Sequence, residues 1–164
     1  MNQQDILLLY KYNQWSTKKI LDAAANVTEE QFLAPASFPH GGLRGTLVHA
    51  LFGEWVWRKR WEGTSPTQRL NPEEFPTFES LHVRWAEEEK LLMAFVENVT
   101  NERLNSKFSY KNLAEVPQER VLWQAMAHLV NHGTQHKTEA AALLTDFRYS
   151  PGDIDLLGYL MEIG

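Results

Sequence analysis

Four stretches of the chain repeat their apolar residues at intervals of three and four, and each gives way to a cluster of glycine, proline or small polar residues. Ile6, Leu7, Leu9, Tyr10, Trp15, Ile20 and Leu21 predict a first long helix over about residues 3 to 25, with Asp5 at its positive end. Thr28-Glu-Glu-Gln31 is a capping-box pattern for a short helical turn, and Pro35 to Gly42 cannot continue it. A second long helix is predicted from Leu43 to Trp61, apolar on more than half its circumference and ended by Gly63. Residues 63 to 76 hold three prolines and form a loop. Phe78, Leu81, Trp85, Leu92, Phe95 and Val99 make the seam of a third helix, interrupted by one carboxylate, Glu88. Leu104 to Val116 alternates briefly with a period of two, which suits a small β-hairpin. Pro117 then fits the first turn of a fourth long helix reaching about Thr145, and Ser150-Pro-Gly-Asp153 restarts the chain in a short helix from Ile154 to Ile163.

All three connections between long helices exceed about ten residues, so successive helices need not be antiparallel neighbours and a crossover is permitted. The expected fold class is all-α: a four-helix bundle with a small β-hairpin before the last long helix. With 164 residues and 43% hydrophobic content, the chain can bury one substantial core as a single domain. A net charge of −5 and no basic cluster denser than Arg58-Lys59-Arg60 argue against a nucleic-acid partner. The opening MNQQDILLLYKYNQW has no basic leader or cleavage site, and no uncharged apolar run approaches the ~18 residues that span a bilayer. No membrane partner is expected, and the expected location is cytoplasmic.

The chemistry concentrates in the fourth helix, which carries His128-Leu-Val-Asn-His132-Gly-Thr-Gln-His136. Each step of four residues turns only about 40° and climbs ~6 Å, so the three imidazoles line one face. His128 and His136 are ~12 Å apart along the axis, so an adjacent pair, either one, is the realistic chelate for one ion. A third ligand must come from another helix, and His49, inside the apolar pattern of the second, is the best placed. The plainer reading makes each histidine a polar neighbour of the core bonded to a carbonyl. The absence of cysteine confines metal chemistry to histidine and carboxylate ligands.

Tyr12-Asn13-Gln-Trp15, Leu47-Val-His49 with Glu54-Trp55, Asn131-His132-Gly-Thr-Gln-His136 and the closing Ser150-Pro-Gly-Asp-Ile-Asp155-Leu-Leu together resemble the DinB/YfiT-like superfamily over nearly the whole chain. The resemblance implies an up-down-down-up four-helix bundle, often a homodimer. It also implies a divalent metal, zinc or nickel, held by one histidine of the second helix and a His-x-x-x-His pair of the fourth. By position these are His49, His132 and His136, with His128 left one turn down the stripe. Where the family commonly has Arg-Gly-Gln after the last histidine, this chain has Lys137-Thr138-Glu139. Glu139 shares the face of His136 and is placed to add a ligand, orient a histidine or point past the site.

Three neutral imidazoles leave a zinc-sized ion with an open position, the arrangement of a catalytic site. The expected function is a metal-dependent enzyme whose ion activates a small thiol or water for attack on a small-molecule electrophile, and the family resemblance implies a low-molecular-weight thiol as cosubstrate in S-transfer or isomerisation. His40, Arg44 and the 63 to 76 loop are the expected walls of the mouth, and Glu88 is a further carboxylate candidate, facing the ion or lying at a helix rim. The alternatives are a non-catalytic bundle that the ion only braces, as in a stress-response or interaction protein, and a site that has lost its metal and binds a small ligand.

Overall fold

The computed structural model describes all 164 residues, Met1–Gly164. Four long helices carry the structure: α1 (Gln3–Ala24), α3 (Leu43–Trp61), α4 (Phe78–Asn98) and α6 (Leu122–Asp146). Short elements join them. These are α2 (Glu29–Leu33), a 3₁₀ turn (Pro72–Glu74), α5 (Asn101–Asn105), the strands β1 (Lys107–Lys111) and β2 (Pro117–Val121), and a closing α7 (Leu156–Ile163). α6 lies against α1 and α3, and α4 lies against the same two helices from the other side, so the four close a ring with α3 and α1 as the shared neighbours. No helix is long and apolar enough to cross a membrane.

Local chemistry sets most boundaries. Asn2 caps α1 and exchanges bonds with Asp5, and Thr28 does the same for α2 with Gln31. Each satisfies backbone N–H groups that a helix start leaves without partners. On α1 the buried residues Ile6, Tyr10, Asn13, Thr17 and Ile20 recur at intervals of three and four, one continuous inward stripe.

The β-hairpin lies further along the chain than its sequence pattern predicts. Pro117 does not open the last long helix but begins β2, paired with Lys111 at the end of the two-stranded antiparallel sheet. A terminal position on a strand tolerates the missing N–H. Asn112 makes the turn, its Oδ1 accepting from the backbone of Ala114 and Val116. β2 then runs directly into α6 at Leu122, whose N–H bonds the carbonyl of Ser106. The sheet turns Phe108 into the core.

The interior has two apolar clusters. One gathers Ile6, Tyr10, Trp61, Leu92, Phe108 and Met126, and the other Ile20, Phe32, Leu47, Leu81, Trp85 and Leu144. Between them along the helices lie buried polar residues, among them Asn13 and Ser16 of α1, Glu54 of α3 and Lys137 of α6. The ammonium of Lys137 donates to the Asn13 carbonyl, to Asn13 Oδ1 (2.8 Å) and to Ser16 Oγ (2.6 Å). Asn13 Nδ2 and the Trp85 indole each donate to one oxygen of Glu54, at 2.8 and 2.9 Å. Burial pushes the Glu54 carboxyl up to about 7 and the Lys137 ammonium down to about 8. Hydrogen bonds link these four residues to one another, while the buried Thr17 hydroxyl next to them has no partner.

Candidate metal centre

α3 and α6 hold the histidines against one another because a glycine lets them approach. A Cβ on Gly53 of α3 would stand 3.1 Å from Nδ1 and Cε1 of His132. Glycine inside a helix costs roughly 0.5–1 kcal/mol relative to alanine, and here it makes room for an imidazole ring. His49 reaches the same place from one turn earlier on α3: its ring centre is 5.2 Å from that of His132 and 4.4 Å from that of His136. The centres of His132 and His136 are 4.4 Å apart. The two helices thus bring the rings of His49, His132 and His136 near one another, while the histidine nitrogens that cluster within 4.8 Å are those of His40, His49 and His136, with His40 in place of His132.

His128 lies elsewhere. It is exposed, its ring 5.5 Å from Trp57 and 5.8 Å from His132, and it lines a separate cavity of about 370 Å³ with Tyr110 and Arg120. Glu88 is corrected outright, since it neither faces the histidines nor sits at a rim. It is fully buried and takes a two-pronged ion pair from Arg58 of α3, with Arg84 on the edge. The basic run Arg58-Lys59-Arg60 is likewise partly interior, with Arg60 buried over Trp57 and Tyr110.

His40 does more than form a wall. It projects from the loop before α3, stacks on His49 at 4.0 Å with rings 15° from parallel, and lies 4.9 Å from the ring of His136. Nitrogens of His40, His49 and His136 all fall within 4.8 Å of one another. The 63 to 76 loop contributes as expected: Arg69, Leu70 and Pro72 line a cavity of about 190 Å³ together with His40, His49 and Phe52. Arg44 instead lines a neighbouring cavity with Phe32 and Asn71.

The donor atoms fit a cation. Glu139 Oε2 lies 2.6 Å from His136 Nδ1, which places the proton there and leaves the lone pair on Nε2. That Nε2 faces Nε2 of His132 at 3.2 Å, and His132 Nδ1 is buried with no partner. If His132 carries its proton on Nδ1, two lone pairs oppose one another; if on Nε2, a buried acceptor is orphaned. The nitrogens of two imidazoles bound ~2.1 Å from one tetrahedral ion stand about 3.4 Å apart, close to the observed 3.2 Å. Burial, then the neighbouring histidines, push His49 down to about 3 and His132 down to about 4. Both are therefore neutral, the form that ligates, throughout the neutral range.

The model of the DinB family matches residues 1–162. The chain belongs to the DinB family. It is similar to Protein DinB of Bacillus subtilis (strain 168), with 22% identity over 162 residues, covering 93% of this chain and 91% of the relative. Lys137 and Glu139, which follow His136 in this DinB-family chain, take separate places. Lys137 anchors the buried layer through α1, and Glu139 orients His136.

Proposed function

We propose that this chain is a divalent-metal-dependent enzyme in which His49, His132 and His136 hold one ion beside a site for a small thiol, or for water, and a small electrophilic substrate. The observation that carries the reading is the approach of the His132 and His136 Nε2 atoms to 3.2 Å, with the His49 ring centre 4.4 Å from that of His136. Zinc or nickel bound there supplies Lewis acidity that brings the pKa of a thiol or of water toward neutrality, where the nucleophile forms.

The protein's own groups prepare that chemistry. Glu139 fixes the tautomer and the rotation of His136 through Nδ1, so that Nε2 is presented without a search among rotamers. Val48, Phe52 and Leu70 give the adjoining cavity an apolar wall. Arg69 lines the same cavity and favours an anionic ligand, such as a thiolate or a substrate carboxylate. The up-down-down-up helix order, a homodimeric assembly and a cytoplasmic location belong to this same family-based reading.

Metal-loaded protein should consume a low-molecular-weight thiol in the presence of at least one electrophile class, and metal-free protein should not. No thiol consumption with any class, together with no hydrolysis of model esters or amides, would refute the enzymatic reading. Glu139→Gln should weaken metal affinity by about 10–100-fold while leaving the fold intact, because an amide holds the Nδ1 proton less firmly than a carboxylate. Isothermal titration with zinc checks this, and an unchanged affinity would remove Glu139 from the site.

A further inference from the structure

We propose that His40 is a fourth imidazole donor to the ion assigned above to His49, His132 and His136, resting over the position that a ligand from solution would occupy and displaced when one enters. The inference rests on that metal reading and adds a gate to it.

Three features single out His40. Its ring already lies beside two of the others, 4.0 Å from His49 and 4.9 Å from His136, and one of its nitrogens is within 4.8 Å of theirs. It is exposed while His136 is buried and His49 half-buried, so it stands on the solvent side of the cluster, where an entering ligand must pass. It also comes from a loop, whereas the other three are fixed on helices, and the loop donor is the one that can leave without disturbing the bundle.

The loop is built to hold it there. The Thr46 hydroxyl donates to the Pro39 carbonyl at 3.1 Å, Gly42 N–H bonds the same carbonyl at 2.9 Å, and Ala36 N–H bonds that of Gly41 at 3.0 Å. A Cβ on Gly45 would stand 1.9 Å from the carbonyl oxygen of His40, so glycine on the first turn of α3 permits the loop to press onto the helix. His40 itself takes φ 42°, a left-handed conformation that residues with a Cβ rarely adopt. A zinc-like ion with three helix-borne imidazoles has one position left, and a fourth imidazole closes it. A small thiolate is a softer, charged ligand able to displace a neutral ring from that position.

The test uses full-length protein loaded with Co²⁺, comparing wild type, His40→Asn and Gly45→Ala. Asparagine tolerates the left-handed backbone, so His40→Asn removes the imidazole and keeps the loop. Expected in His40→Asn are one Co²⁺ per chain, visible absorption bands shifted from wild type, Co²⁺ affinity about tenfold lower, and azide binding about tenfold tighter because no internal donor competes. Gly45→Ala should shift the bands in the same way although His40 is still present. Unchanged bands and affinity in His40→Asn would overturn the proposal, as would complete loss of Co²⁺, which would make His40 indispensable rather than displaceable. Failure of wild type itself to bind Co²⁺ would be different, removing the underlying metal reading.

Discussion

Replacing His49 or His132 by alanine is expected to weaken binding of a divalent ion by more than about 100-fold, while His128→Ala changes it little. Without His49, α6 offers only an i, i+4 pair, and α3 no longer contributes a donor. Without His132, the 3.2 Å approach to His136 disappears and the space beside Gly53 empties. His128 has no such role, since its ring belongs to the cavity formed with Trp57 and Tyr110. Calorimetric titration of the three purified variants with zinc separates them. Equal losses in all three would show that His128 matters as much as His49 and His132, and would overturn the assignment of the ligands.

Glu88→Ala is expected to be the most destabilising single change in the core, by about 3–5 kcal/mol, with metal binding unaltered. Its carboxylate is fully buried, and removing it leaves the guanidinium of Arg58, itself 3% exposed, with Glu62 at its edge as the remaining acid. Most of the loss comes from stranding that charge rather than from the strength of the pair. The paired replacement Arg58→Met with Glu88→Leu should therefore recover much of the stability, since neither charge remains to be desolvated. Urea melts of the two proteins decide the point, and a Glu88→Ala variant within about 1 kcal/mol of wild type would show that the pair is not what it looks to be.

Residues that act through local spacing were readable from the chain alone. The apolar repeats marked α1, α3 and α4 to within a residue or two, because α1 and α4 each bury one stripe and α3 is buried on most of its circumference. The stripe of His132 and His136 was legible for the same reason. Pro117 misled because proline is as welcome at the end of a strand as in a first helical turn, and only pairing with Lys111 decides between them.

What long-range packing decides was not legible. Glu88 finds Arg58 across 30 positions of sequence, and Lys137 finds Asn13 across 124. No periodicity encodes such meetings, so a buried carboxylate read as a candidate for the site and a buried lysine as an unexplained departure from Arg-Gly-Gln. His40 was legible only as part of a wall. Its contact with His49 depends on a left-handed backbone and on the close approach that Gly45 permits, neither of which spacing reveals.

Elemental analysis of untagged wild-type protein, dialysed against metal-free buffer and reloaded with zinc or nickel, tests most directly whether imidazoles of α3 and α6 share an ion. One tightly held ion per chain is the predicted result. Protein that folds normally yet retains no stoichiometric metal would contradict it.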